Sequence, residues 1–309
     1  MSVAPDSREP ESSVAGKAET GSQLRRTFSA FCESPLAVAA MISTLLIIAI
    51  AIFAPLISPQ NPYNLAEIDV VDGLLPPGSK AYTGGTYWLG TDDQGRDMLS
   101  AIFYGLRLSI VVGIGSALIA VVVGTSVGLC SAFFGGRWDT IIMRAVDVQL
   151  SFPAVLIALI LLASLGKGVD KVVMALVIVQ WAYYARTVRG TALAELGREY
   201  MEAGRNLALS DIRLIFRHLL PNCLPPLIVI ATVQVASAIA LEAALSFLGL
   251  GLPVTEPSLG LLISNGYDYL LGGKYWISVI PGVALLVTII SINLVGDRLR
   301  DVLNPRLER

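Results

Sequence analysis

Six apolar runs, each close to the length of a membrane crossing, constrain this chain more than any other feature. They lie near 36–57, 108–132, 143–165, 170–189, 223–248 and 276–296. A hydrocarbon core of about 30 Å takes roughly 20 helical residues to cross. Backbone groups in lipid must be satisfied within a helix or a closed barrel, and the alternating pattern of a barrel is absent. The expected fold is an all-α polytopic membrane protein with six transmembrane helices. Composition points the same way. The chain is 54% hydrophobic and only 15% charged, whereas soluble domains carry roughly 25% charged residues. A net charge of −2 gives no reason to expect a nucleic-acid partner.

Residues 1–30 are rich in Ser, Glu, Pro and Ala and lack the short apolar core of a secretory signal. They read as a disordered cytoplasmic tail. The first apolar run is too long for a signal core and no small-x-small cleavage site follows it, so it is expected to remain as a span. Orientation follows from Lys and Arg outside the spans. With the N-terminus cytoplasmic, sixteen fall inside, among them Arg25, Arg26, Arg137, Arg144, six from Arg186 to Arg217 and four from Arg298 onward. The opposite side holds six: Lys80, Arg96, Arg107, Lys167, Lys171 and Lys274. Both termini are therefore expected to be cytoplasmic. The layout becomes a tail (1–30), a first helix with a periplasmic segment (31–107), a core transmembrane unit (108–298) with a cytoplasmic loop at 190–222, and a cytoplasmic tail (299–309). Met98, Leu99, Ile102, Phe103 and Leu106 repeat at helical spacing and predict a short amphipathic helix along the outer interface. Trp88, Tyr267, Tyr269 and Trp276 read either as an aromatic belt or as part of an outer docking surface. The stretch "PSLGLLISNGYDYLL" is expected to dip back as a short helix.

Within the spans, Gly124 and Gly128 are spaced for close helix packing, and Pro153 and Pro281 are expected to bend their helices. Asp147, Gln180, Gln234, Glu242 and Asn293 are the polar groups at membrane depth. They fit either the lining of a translocation path or interhelical hydrogen bonds. No dense chain of acids and no second copy of any motif supports an ion-coupled secondary transporter. A membrane-embedded enzyme lacks its constellation: no P-loop, no G-x-S-x-G elbow, and a single histidine, His218, with no metal-ligand spacing around it. Cys32, Cys130 and Cys223 form no metal or redox spacing and are expected to be free thiols.

Between the fourth and fifth spans the text turns polar: "EYMEAGRNLALSDIRLIFRHLLPN", Glu199 to Asn222. Tyr200, Ala203, Gly204, Leu207 and Ala208 share one helical face, with Glu202, Arg205 and Asn206 on another. Ser210 and Asp211 can cap a second helix, and Pro221 disfavours helix at Leu220 before it. Helix, turn, helix, then the fifth span is the expected order. Pattern alone leaves a docking element and an interfacial loop equally open.

The stretch resembles the EAA loop of permease subunits in ATP-binding-cassette importers, E-A-A, three residues, G, nine residues, I-x-L-P. Glu202-Ala203 and Leu220-Pro221 match it, Gly204 replaces the second Ala, Ala208 stands at the Gly and His218 at the Ile. More broadly, "LGTDDQGRDMLSAIFYGLRLSIVVG", "GGRWDTIIMRAVDVQLSFP", "YARTVRG", "EAALSFLGLG" and "NLVGDRLRDVLNPRLE" resemble the second permease of dipeptide, oligopeptide and nickel importers. The resemblance implies a type I ABC importer permease fold in a bacterial inner membrane. It implies a sister permease, two ATPase subunits that bind ATP and Mg, and a periplasmic or lipid-anchored solute-binding protein. It places ATPase coupling at Tyr200, Glu202, Ala203, Gly204, Leu207, Ala208, Leu220 and Pro221. This chain itself is expected to bind no cofactor or metal. Peptide leads among its substrates, with nickel chelate, glutathione and opine open.

Overall fold

The computed structural model describes residues 29–303, apart from positions 65, 83, 254 and 257. Of the tails expected at 1–30 and 299–309, residues 1–28 and 304–309 lie outside the described residues, while 29–30 and 299–303 are helical. Among the described residues nine principal helices follow in chain order: α1 (Pro35–Ile57), α2 (Met98–Phe134), α3 (Gly136–Leu150), α4 (Ala154–Leu165), α5 (Val169–Leu196), α6 (Glu199–Asn206), α7 (Leu220–Phe247), α8 (Leu259–Tyr267) and α9 (Trp276–Leu303). Helices α2, α5 and α7 form the centre, α1 and α9 flank it together, and α8 wedges between α7 and α9. One end of the bundle carries a small hairpin, β1 (Ser79–Lys80) with β2 (Thr86–Tyr87), paired antiparallel. The other end carries α6.

Helix α1 starts where Ser34 accepts a hydrogen bond from the Ala37 N–H and Pro35 occupies the first turn. Asp97 caps α2 in the same way, accepting from the Ser100 N–H at 2.9 Å. From that cap α2 runs 37 residues, roughly 55 Å at 1.5 Å per residue. The separate interfacial helix expected at 98–106 is thus the first part of α2. Its apolar face does not lie on lipid: Ile102 and Leu106 pack with Ile47, Leu259 and Leu262, and Met98 packs with Trp276 and Ile277. Nothing between Leu106 and Leu108 stops the helix.

The third expected span is two helices, α3 and α4, meeting at about 90°. Pro153 lacks an N–H and restricts Phe152, so the chain breaks where a gentle bend was expected. The fourth span extends to Leu196. Helix α1, helix α2, the run Asp211–Phe247 and α9 are each long and apolar enough to cross a membrane, with the α3–α4 pair as a fifth if counted as one span. Helix α5 does not pass that test, because Gln180, Arg186 and Arg189 dilute its apolar run. Pro281 sits within α9, which continues through it.

The glycines of α2 set a close approach to α5. A Cβ on Gly128 would fall 2.6 Å from the Ala185 carbonyl oxygen, and one on Gly124 2.6 Å from the Tyr184 Cβ. Small residues at this spacing let α2 and α5 touch along their backbones. At the hairpin end, the Trp276 indole N–H donates to the Thr91 carbonyl at 3.1 Å, and Arg96 pairs with Asp92 at 2.6 Å, both side chains almost fully buried. Trp276 is therefore a buried tie between α9 and the loop, not part of an exposed docking surface. Trp88 and Tyr267 are exposed. The short helix expected within "PSLGLLISNGYDYLL" is α8. Cys32, Cys130 and Cys223 are free.

Candidate coupling helix and polar groove

Helix α6 leaves α5 after only Gly197 and Arg198. It is anchored on one side and open on the other. Met201 and Gly204 face inward; Met201 is fully buried in a cluster with Leu129, Tyr184, Leu214, Leu219 and Leu227. A Cβ on Gly204 would lie 2.7 Å from Leu214 Cδ2. The small residue at 204 therefore admits a side chain of this same chain, which corrects its sequence-based place on an outward docking face. Tyr200 also departs from that face. It is half-buried, its hydroxyl donates to Glu195 Oε2 at 2.8 Å, and Asn222 donates back to the hydroxyl at 3.1 Å. Burial first, then the bond to Glu195, pushes the Tyr200 hydroxyl up to about 12, so it stays a donor at physiological pH. Glu202, Ala203, Arg205, Asn206, Leu207 and Ala208 remain exposed, Leu207 at 75%.

The end of α6 is a Schellman turn. The Leu209 N–H donates to the Gly204 carbonyl and the Ala208 N–H to the Arg205 carbonyl, with Ala208 left-handed at φ +52°. The pattern's glycine falls at this position because glycine adopts that conformation without Cβ crowding. Ala208 adopts it regardless, at about 1–2 kcal/mol.

The second helix of the insert does not end before Pro221. A turn at Asp211–Arg213 leads into a π-helical stretch, Leu214–Leu219, and then directly into α7. The wider π turn changes the i−4 hydrogen-bonding that a proline ring would otherwise block, so Leu220 and Pro221 open α7 without a break. Leu220 packs partly on the Met201 cluster and Pro221 is exposed. Ser210 precedes the turn but makes no side-chain cap bond.

Of the polar residues expected along a path, the structure brings two together. The Gln180 amide on α5 donates to the Gln234 carbonyl on α7 at 2.9 Å, and the Gln180 Oε1 has no partner among the described residues. Both residues line a groove of about 480 Å³ with Ala154, Val155, Tyr183 and Ser237. The other three lie elsewhere. Glu242 is fully buried and accepts from Ser109 at 3.0 Å and Ser246 at 2.8 Å, so it joins α2 to α7 and is not among the residues lining the Gln180–Gln234 groove. Asp147 pairs with Arg186 across α3 and α5, with both side chains more than half exposed. Asn293 is half-buried on α9.

Sequence reasoning missed a second tie between α3 and α5. Arg189 grips both oxygens of Asp139 at 2.5 and 2.6 Å, and Ser131 donates to the same carboxylate. Its only sequence signal was the presence of both residues in the "GGRWDT" and "YARTVRG" stretches.

The sequence matches the family model described as binding-protein-dependent transport system inner membrane component over residues 120–309. It also matches the N-terminal TM domain of oligopeptide transport permease C over residues 22–77. The Di/tripeptide transport system permease protein DppC of Pseudomonas aeruginosa is 38% identical over 288 residues, 93% of each chain. The Glutathione transport system permease protein GsiD of Pectobacterium atrosepticum is 34% identical over 284 residues, 92% of this chain and 91% of its own. Among solved structures, an inward-facing conformation of the MetNI methionine ABC transporter aligns with a TM-score of 0.56 at 20% identity, covering 67% of this chain and 98% of that one, which establishes a shared fold. This chain belongs to the binding-protein-dependent transport system inner membrane components, as a permease subunit of the dipeptide and oligopeptide type of ABC importer.

Proposed function

We propose that this chain carries short peptides across a bacterial inner membrane as one half of a two-permease path. A periplasmic or lipid-anchored binding protein delivers the solute, and two ATPase subunits bind the ATP and Mg that drive the cycle. The chain crosses six times with both termini cytoplasmic, through α1, α2, the broken pair α3–α4, α5, α7 and α9. The excess of Lys and Arg on the α6 side supports this orientation.

The observation that carries the reading is the two-sidedness of α6. Its inner face is fixed to α5 and α7 through Tyr200, Met201 and Gly204, while Glu202, Ala203 and Leu207 are free to meet another protein. A cleft in an ATPase subunit seats Ala203 and Leu207, and Glu202 supplies a charge-assisted contact. Closure of the ATPase pair moves α6, and its anchors pass the displacement to α5 and α7. Those helices flank the Gln180–Gln234 groove, so the groove opens alternately to either side. Such coupling needs contacts that differ between the two states.

The substrate assignment rests on relatives named for di- and tripeptides and for glutathione, all short peptides. Neutral amides in the groove suit a peptide backbone, which offers donors and acceptors in pairs. Two measurements test the reading. Leu207→Cys, treated with a short bifunctional cross-linker in the assembled transporter, should give an adduct with the ATPase subunit; cross-linking confined to the other components contradicts the docking. Calorimetry on the cognate binding protein should find tight binding of di- or tripeptides, and selective binding of a nickel chelate or opine instead would reassign the cargo.

A further inference from the structure

One cavity away from α6 and the groove combines charges of both signs with aromatic rings. It measures about 390 Å³ at the hairpin end of α2, and Tyr63, Tyr104, Arg107, Val111, Val169 and Glu256 line it. The Tyr63 and Tyr104 rings meet edge to face with centroids 5.2 Å apart. Arg107 is exposed and joins no ion pair among the described residues. Glu256 Oε2 is buried with no hydrogen-bond partner among them, a condition that costs free energy until a donor arrives. Burial is the main cause that pushes the Tyr63 hydroxyl up to about 12; Glu256 adds to the rise and Arg107 opposes it. Both charges are thus felt at the same hydroxyl.

The position of Arg107 matters as much as its charge. No charged residue follows it until Arg137, so it marks the start of the apolar span of α2. On the same helical face below it, Val111, Leu118 and Val122 are 58%, 61% and 65% exposed. The residues that admit close helix contact, Gly113, Gly124 and Gly128, are turned to Ile239, Tyr184 and Ala185. Helix contacts within lipid favour small side chains, so the Val–Leu–Val face is suited to acyl chains.

We propose that this cavity holds the headgroup of a phospholipid that pairs a phosphate with an ammonium, of the phosphatidylethanolamine type. The phosphate rests on Arg107 in a charge-assisted bond. The ammonium supplies the donor that Glu256 lacks, and an acyl chain follows Val111, Leu118 and Val122. A free dipeptide offers the same pair of charges, but the aliphatic face leading from the cavity selects the lipid. The assignment requires only that this end of α2 meets a bilayer surface, so it stands independently of the cargo.

The test is native mass spectrometry of the complete transporter extracted from membranes. Bound phosphatidylethanolamine should be retained by the wild type and by Lys274→Gln, and retained about tenfold less by Arg107→Gln and by Glu256→Gln, the factor for 1.4 kcal/mol. Equal retention in all four overturns the proposal. A comparison that needs no variant reloads the delipidated wild type with phosphatidylethanolamine or with phosphatidylglycerol, which lacks the ammonium. Preferential retention of the first is expected, and equal retention of both overturns the proposal. Displacement of the bound lipid by glycylglycine would assign the cavity to peptide and overturn it as well.

Discussion

Tyr200 on α6 donates its hydroxyl to Glu195 at the end of α5, 2.8 Å away, and receives Asn222 from the start of α7. One side chain thus ties the exposed helix to both helices that flank the groove. Tyr200→Phe should cost about 1 kcal/mol of stability, the value of one such bond, and should weaken the coupling of ATP hydrolysis to transport while leaving assembly intact. The pH dependence has a definite sign. The hydroxyl is raised from 10.0 to about 12 in the folded chain, so its stabilising share is complete below the unfolded value and is lost as pH rises through the folded one. The melting temperatures of wild type and Tyr200→Phe should therefore converge as pH rises above 10, which differential scanning fluorimetry would show.

Gly204 lies directly under Leu214. Gly204→Leu should destabilise the α6 region by about 1–3 kcal/mol through overpacking. Leu214→Ala added to it should recover part of that loss by returning the space. Limited proteolysis of the segment 199–219 reads both effects, and additive losses in the double variant would contradict the inward placement of residue 204.

Ala208 holds a left-handed conformation that favours glycine. Ala208→Gly should raise stability by about 1 kcal/mol, and Ala208→Val should lower it. Thermal unfolding of the assembled complex measures both, and no gain on glycine substitution would argue against the Schellman turn.

The Arg189–Asp139 pair joins α5 to α3 through two hydrogen bonds. Asp139→Arg should impair assembly, and the exchange Asp139→Arg with Arg189→Asp should restore much of it. A double-mutant cycle should give a coupling of about 1 kcal/mol, since the pair is only partly shielded from solvent.

The helical segments and the insert were legible in the sequence because apolar run length and helical spacing are local properties, although among the described residues only four of the expected runs, or five with the α3–α4 pair, are long and apolar enough to cross a membrane. The left-handed turn at 208 was not legible, since Ala stands where the family pattern has glycine and a Cβ argues against that conformation. What was not legible is which way each helix turns. Gly204 reads as an outward small residue until Leu214 is seen beside it. Glu242 reads as a candidate path lining until Ser109, 133 residues earlier, is found at its carboxylate. Arg189 and Asp139 are 50 residues apart, and no periodicity joins them. Pro153 announced a deviation but not its size, because a proline bend and a proline break differ only in how neighbouring helices receive the two halves.

We propose that Glu202 and its exposed neighbours on α6 receive the work of ATP hydrolysis. The most direct test is the rate of ATP hydrolysis by the purified complex carrying Glu202→Arg, measured with and without solute-loaded binding protein. The complex should assemble with normal stoichiometry and hydrolyse ATP at the basal rate, with the binding-protein stimulation lost. Full stimulation in an assembled Glu202→Arg complex would contradict the account.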